Sequence, residues 1–308
     1  MLKWGEEECK RLRHHIFETF KPRSFTNQGR WFFYITVIMT IAFEIGISLA
    51  VKLDNITLKA FFLVMTGLVF YRYQFILHDA SHGTLVEHRK ENHVFGNIAG
   101  YVVGYPFSLY KKNHSRHHIY TATEKDFELD NFLVENSKQK PSYQFTLKTF
   151  KSLLLLDLFQ LIKNLFISKK SGEAQVINKL YLFLSVITQM FLLNVFNNTF
   201  SLTSFIEALL IFILSIGSIT FTINRIRGMC EHSQSKDLEY YNFTRSHKKN
   251  ILTFIIAPFN FNFHLEHHIF PEMPAGNYPK INKLLEKHFL NNDWISDSYI
   301  LTIRKYYK

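Results

Sequence analysis

Long apolar runs and short polar breaks make the first division of the chain. Residues 1–30 are polar and mixed in charge, carry no secretory leader pattern, and give way to an apolar run at Trp31. Four stretches, 31–51, 57–77, 179–197 and 202–223, approach or exceed the ~20 residues that a helix needs to cross a bilayer. Leu53-Asp54-Asn55 separates the first two and Asn197-Asn198-Thr199 the last two, so the pattern predicts two helical hairpins. Three other apolar stretches are too short or too interrupted to span. Residues 94–110 are Gly-rich and contain Pro106, and 251–263 are broken by Pro258. Residues 145–168 set Phe145, Phe150, Leu153, Leu154, Phe159 and Leu165 among lysines, as in an amphipathic helix lying on a membrane surface. The expected fold class is all-α, a polytopic membrane protein with four transmembrane helices and a helical cap. It forms one domain over 1–308: an N-terminal segment (1–30), a first hairpin (31–77), one cap part (78–178), a second hairpin (179–223) and a second cap part (224–308).

Charge orients this arrangement. Of 36 Lys and Arg, only Lys52 and Lys59 lie at the hairpin turns, which leaves 34 elsewhere. Positive residues concentrate in cytosolic loops, so both termini and the cap are expected in the cytosol, under a bacterial inner membrane or the endoplasmic reticulum. The same asymmetry accounts for the net charge of +11 without a nucleic-acid partner, for which no motif is present. Apolar residues at 47% and a mean hydropathy of −0.03 fit a few spans joined to a substantial polar body. Cys9 and Cys230 form no CxxC pair and read as reduced thiols.

The chain has 15 His, and most are clustered. His78 and His82 follow the second apolar run. His114, His117 and His118 form an HxxHH box, and so do His264, His267 and His268. On a helix, positions i, i+3 and i+4 share an arc of about 100°, so each cluster aims its rings one way. His232 closes the run Arg225-Ile-Arg-Gly-Met-Cys-Glu-His after the fourth stretch. Neutral imidazole is the commonest metal ligand near neutral pH, and nine rings exceed what one ion can take but suit two. Ligand type alone leaves iron, zinc, copper and nickel open. His14, His15, His88, His93, His247 and His288 sit among charged residues and are expected to be solvated. Asp79, Glu231, Glu266 and Asn262 lie beside the clusters, where they could orient ligating rings through a second hydrogen bond. Asn113 and Asn260 are interleaved in the same way.

These residues resemble the integral-membrane fatty acid desaturase and hydroxylase superfamily. Its three boxes match His78/His82, His114/His117/His118 and His264/His267/His268, and HDASHGT, HHIYTATEKD and FNFHLEHHIFPEMP look like acyl-lipid desaturase segments, from about residue 57 to 287. The resemblance implies two irons, O2 as co-substrate, and conversion of a CH2–CH2 pair in a fatty acyl chain to a double bond. It implies an apolar tunnel for that chain, and an extra ligand between the second and third boxes, for which His232 is the candidate. The chain shows no HPGG haem motif and no flavin or dinucleotide fingerprint, so electrons are expected from a separate ferredoxin or cytochrome b5 with its reductase. Lys111, Lys112 and Arg116 could dock that donor or contact lipid headgroups. The runner-up is a hydroxylase or ketolase of the same superfamily acting on a carotenoid, sphingolipid or alkane. A metal transporter or haem-binding subunit needs histidines at membrane depth, whereas these nine lie at or beyond the ends of the apolar runs.

Overall fold

The computed structural model describes residues 6–20, 27–121, 123–126, 128, 132, 140–167, 173–197, 202–232, 244–288, 295, 296 and 298–308. The architecture is helical. Helix α1 spans Glu6–Thr19, α2 Gln28–Lys52, α3 Ile56–His82, α4 Arg89–Val102 and α5 Phe107–Tyr120. These are followed by α6 (Pro141–Leu153), α7 (Leu156–Ile167), α8 (Glu173–Asn197) and α9 (Leu202–Leu214). The last runs without a break through a π-helical segment, Ser215–Thr220, into α10 (Phe221–His232). Then come α11 (Ile251–Ile256), α12 (His264–Ile269), α13 (Tyr278–His288) and α14 (Tyr299–Tyr306). A two-residue parallel pair, β1 (Ser246–His247) and β2 (Ile295–Ser296), is the strand structure among the described residues.

Among the described residues three helices are long and apolar enough to cross a membrane: Gln28–Lys52, Ile56–His82 and Leu209–His232. The first two match the expected first hairpin, turned at Asp54 with φ +49° and restarted by Asn55, whose side chain accepts from the Leu58 N–H at 3.0 Å. The expected span 179–197 falls on α8, where the described residues give a shorter apolar helix, Lys179–Leu192. The second hairpin turn at Asn198 and Thr199 lies outside the described residues. The expected span 202–223 continues to His232, because its polar end is still helical.

Side-chain packing ties these helices into one bundle. Ile47, Phe70, Met190, Ile211 and Phe212 join α2, α3, α8 and α9 in one buried cluster. Outward, Trp31, Ile38, Phe183, Phe191 and Leu210 are exposed, the composition that a lipid-facing surface has. A buried polar row, Thr36, Thr40, Glu44 and Ser48, repeats every four residues along α2. It meets α3 through the Thr40–Tyr73 hydroxyl pair at 2.8 Å and Arg72, whose Nε donates to Thr36 at 3.2 Å. Such polar contacts hold helices together where lipid gives no hydrophobic contrast. The π segment docks on α3: Ser215 and Thr220 hydroxyls donate to the Leu63 and Gly67 carbonyls at 2.9 and 2.7 Å. A Cβ on Gly67 would come within 2.6 Å of the Ser215 carbonyl oxygen, so glycine permits this approach.

The expected amphipathic helix 145–168 is two helices, because Leu155 adopts φ +64° and ends the first. Phe150, Leu154 and Phe159 are exposed there, whereas Phe145 is buried. A second core joins α1, α12 and α13 through Ile16, Leu265, Phe270, Tyr278, Ile281 and Leu285.

His247 is a correction to the sequence reading. It is 1% exposed, not solvated, because the β1–β2 pair carries it under α14. Its ring stacks on Tyr299 at 3.9 Å and its Nε2 lies 3.3 Å from the Thr302 hydroxyl. His14, His15, His88 and His93 are exposed, and the side chain of His288 lies outside the described residues.

Burial lowers the His247 pKa to about 3. Above the unfolded value of ~6.5 both states are neutral and the group contributes no pH dependence. Below it the unfolded chain binds a proton that the folded chain refuses, so stability falls with pH down to about 3. The loss approaches ~1.4 kcal/mol per pH unit, or roughly 2 kcal/mol at pH 5. His247→Gln is expected to flatten the decline in unfolding temperature between pH 6.5 and 5 for detergent-purified protein. Parallel slopes for variant and parent would contradict this.

Candidate metal centre

The histidines lie on the ends of helices that converge. Helix α3 delivers His78 and His82 in its last turn and stops at Gly83, whose φ of +72° is open to a residue without a Cβ. Helix α5 carries His114, His117 and His118, α10 ends on His232, and the short α12 bears His264, His267 and His268. All nine therefore face one region. His78, His82, His114, His118 and His267 offer nitrogens within 4.8 Å of one another, and so do His117, His232 and His268. His264 joins the latter group, its Nε2 lying 2.8 Å from that of His232 and 3.1 Å from that of His268.

The contacts between rings are short. His118 Nε2 is 2.9 Å from His267 Nε2 and 3.1 Å from His114 Nε2. Two nitrogens bound ~2.1 Å from one ion at right angles would stand ~3.0 Å apart, so this spacing fits adjacent ligand positions on a shared metal. His78 Nε2 and His82 Nε2 are buried with no hydrogen-bond partner. Unsatisfied buried nitrogens of this kind are costly in a closed fold and natural in a metal site. The donor set fits a metal pair in number and chemistry. Burial and neighbouring imidazoles hold His114, His118, His264, His267 and His268 well below the ordinary imidazole pKa, in the neutral form that a metal requires.

His117 differs. Burial opposes its charged form, but Glu128 and Asp126 outweigh burial and raise its pKa. Its Nδ1 lies 3.0 Å from Asp126 Oδ2 and 4.0 Å from Glu128 Oε2. His78 Nδ1 stands 3.0 Å from Asp79, and His267 Nδ1 3.0 Å from the Tyr278 hydroxyl. Thus each box has at least one ring with an orienting partner on its far nitrogen. Asp126 closes the HHIYTATEKD segment, nine residues after His117, whereas Tyr278 is brought to His267 by the packing of α12 on α13.

The other interleaved residues act at different places. Glu231 lies 3.5 Å from His264 Nδ1 and is held by Arg227 at 2.8 Å and the Tyr299 hydroxyl at 2.8 Å. Glu266 turns away from the rings and accepts from Ser246 and from Asn282 at 2.6 Å, with burial raising its pKa to about 7. Asn262 brackets His247, donating to its carbonyl at 2.7 Å. Asn113 donates to Tyr105 and Asn260 to the Ala275 carbonyl, so neither meets an imidazole. Lys111, Lys112 and Arg116 are exposed on the outer face of α5.

The chain is similar to the sphingolipid delta(4)-desaturase DES1 of Mus musculus, 26% identical over 240 residues, and of Rattus norvegicus, 27% identical over 240 residues. The human protein of that name is 25% identical over 240 residues. Each match covers 72% of this chain and 65% of the relative, so the chain spans just under two thirds of their length. A family model, fatty acid desaturase, matches residues 55–297, which take in every histidine of the cluster. The chain belongs to the fatty acid desaturase family.

Proposed function

We propose that the chain is an O2-dependent desaturase of a membrane lipid, with two irons held by the nine imidazoles. The observation that carries this reading is the set of Nε2–Nε2 separations of 2.8–3.1 Å between rings from separate helices and within single boxes. His78, His82, His114, His118 and His267 would hold one iron, and His117, His232, His264 and His268 the other. The chemistry such a pair supplies when bound is activation of O2, with two electrons and two protons, for removal of two hydrogens from adjacent carbons. The chain's residues set the conditions for it. Asp79, Asp126 and Tyr278 fix ring orientation, and the buried surroundings exclude bulk water. The box residues favour a fatty acyl substrate, while the relatives' names favour a sphingolipid. Electrons would come from a separate ferredoxin or cytochrome b5.

The same reading includes four membrane crossings with both termini and the centre in the cytosol, supported by the position of 34 of the 36 basic residues. Single cysteines placed at Asn55 and Asn198 are expected to label only from the side opposite the cytosol. Labelling of Asn198→Cys from the cytosol alone would remove the fourth crossing.

Expression in a host membrane, followed by mass spectrometry with double-bond localisation, tests the reaction. A new double bond that depends on O2 and on added donor protein is expected. A hydroxylated or keto product without one would move the chain to the hydroxylase branch of the superfamily.

The role of His232 has its own test. His232→Ala is expected to lower bound iron and turnover together, because His232 Nε2 meets His264 Nε2 at 2.8 Å. His93→Ala, at an exposed ring, is the control and is expected to change stability by under ~0.5 kcal/mol. Full iron content in His232→Ala would leave eight protein ligands.

A further inference from the structure

Residues 246–263 fold as a hairpin that leads into the third histidine box. Its legs are tied at the base. Ser246 bridges Phe263 antiparallel, the His247 N–H donates to the Asn262 carbonyl at 2.7 Å, and Lys249 Nζ donates to Asn260 Oδ1 at 2.6 Å. The tip is α11, whose Ile256 carbonyl accepts from the Tyr71 hydroxyl at 2.5 Å. Tyr71 precedes Leu77, the end of the second apolar run, by an axial rise of ~9 Å. Its neighbour Arg72 bonds Thr36, which also lies inside the first apolar run. The tip therefore sits deeper than the ends of the runs that would carry α2 and α3 into a bilayer.

The surface of the tip matches that depth. Ile251, Phe254 and Ile255 share one helix face and are 86%, 81% and 44% exposed. A helix of six residues at membrane depth needs its end groups bonded within the protein. Here they are. Asn250 Oδ1 accepts from the Leu252 and Thr253 N–H groups at 2.9 and 3.1 Å, and the Asn250 N–H donates to the Thr253 hydroxyl at 2.8 Å. At the other end, the Ala257 N–H donates to the Thr253 carbonyl at 2.9 Å, and Tyr71 serves Ile256. Lys248 and Lys249 are exposed at the base, where basic side chains meet lipid phosphates. On the return leg, Phe259 stacks on Phe32 at 4.7 Å, and exposed Trp31 beside it continues the lipid-facing surface of α2 up to the hairpin.

We propose that residues 249–260 are a re-entrant hairpin that dips into the leaflet nearest the metal centre, with Ile251, Phe254 and Ile255 among phospholipid acyl chains. Lys248 and Lys249 then stand among the headgroup phosphates. The hairpin ends on Phe261, whose ring lies 4.4 Å from that of Phe75 and 4.6 Å from that of His78. Phe261 walls a cavity of about 200 Å³ that opens on His78, His114, His117, His232 and His264. Gln74, Glu128, Asn224, Arg225 and Arg227 make the rest of that wall polar. Through one hairpin, the bilayer bears on both the third box and the cavity. The inference rests on α2 and α3 crossing the membrane, and not on the identity of metal or substrate.

The test uses the full chain in nanodiscs of palmitoyloleoyl phosphatidylcholine and phosphatidylglycerol. Phe254→Cys, Ile251→Cys, Ile38→Cys and Lys287→Cys each carry a nitroxide, in a chain with Cys9→Ser; Cys230 is buried and left in place. Ile38 on α2 is the lipid reference and Lys287 on α13 the aqueous one, both being exposed. Because Phe254 and Ile251 are mostly exposed, their replacement removes little packing. Relaxation of each label by O2, which enters lipid, is compared with relaxation by a nickel chelate, which stays in water. The O2-to-nickel ratio at Phe254 and Ile251 is expected to match that at Ile38 and to exceed that at Lys287 several-fold. A ratio at both positions equal to that at Lys287 would put the hairpin in water and overturn the proposal, while a high ratio at Ile38 would leave α2 in the membrane. A low ratio at Ile38 as well would overturn the membrane reading itself. Shielding of Phe254 and Ile251 from both reagents would reveal a protein surface there, a second copy or another partner, and would equally overturn the lipid assignment.

Discussion

Much of the structure follows from one constraint, the crowding of uncharged imidazole nitrogens in a buried space. Rings from α3, α5, α10 and α12 bring Nε2 atoms to 2.8–3.1 Å. At that range two bare lone pairs repel. Either one ring of each pair is the neutral Nε2–H tautomer and donates to the other, or a cation satisfies both. A second proton on a ring is opposed by burial and by the neighbouring imidazoles, so the cluster stays uncharged and its nitrogens could hold a metal ion.

Helix ends do most of that positioning. Gly83 ends α3 one residue after His82, so both rings of that box occupy a final turn whose direction is fixed by the long helix behind it. The π segment has a comparable effect on α10. Each extra residue per turn rotates the following helix by about 100° relative to an uninterrupted α-helix. That offset governs which face of α10 meets the cluster, and so brings Asn224, Arg227 and His232 to the same cavity. Ser215 and Thr220 anchor the offset on α3 carbonyls, which couples the helix carrying the first box to the one carrying the isolated histidine.

Periodicity made the long helices and the three boxes legible, because spacing within a helix is a local property. Family resemblance extended that reading from about residue 57 to 287, close to the matched 55–297. What escaped was set by contacts between segments distant in sequence. Tyr278 reaches His267 because α12 and α13 share a core with Phe270 and Ile281, a relation that no local pattern carries. His247 was misjudged for the opposite reason: its neighbours Lys248 and Lys249 suggest a wet surface, yet a two-residue strand pair turns its ring inward against Tyr299. Glu266 sits within a box but points to Ser246 and Asn282, since one turn of helix places it on the face away from the rings. The break at Leu155 has no Gly or Pro to announce it; Ser218 and the Arg225–Asp157 pair hold both sides of it.

The surroundings of the two histidine groups are unequal, and the inequality bears on how they would work. Behind His78, His82, His114, His118 and His267 stand Asp79 and a neutral phenol, Tyr278. Behind His117, His232, His264 and His268 stand Asp126, Glu128 and Glu231, with Arg227 in contact with Glu231. A carboxylate on the far nitrogen raises the basicity of a ligating imidazole more than a phenol does. Two ions bound as proposed would therefore differ in electron density, the second lying in the more anionic setting. The polar cavity opens on His117, His232 and His264 of that second group and on His78 and His114 of the first. Arg227, which lines that cavity, pairs there with Glu231.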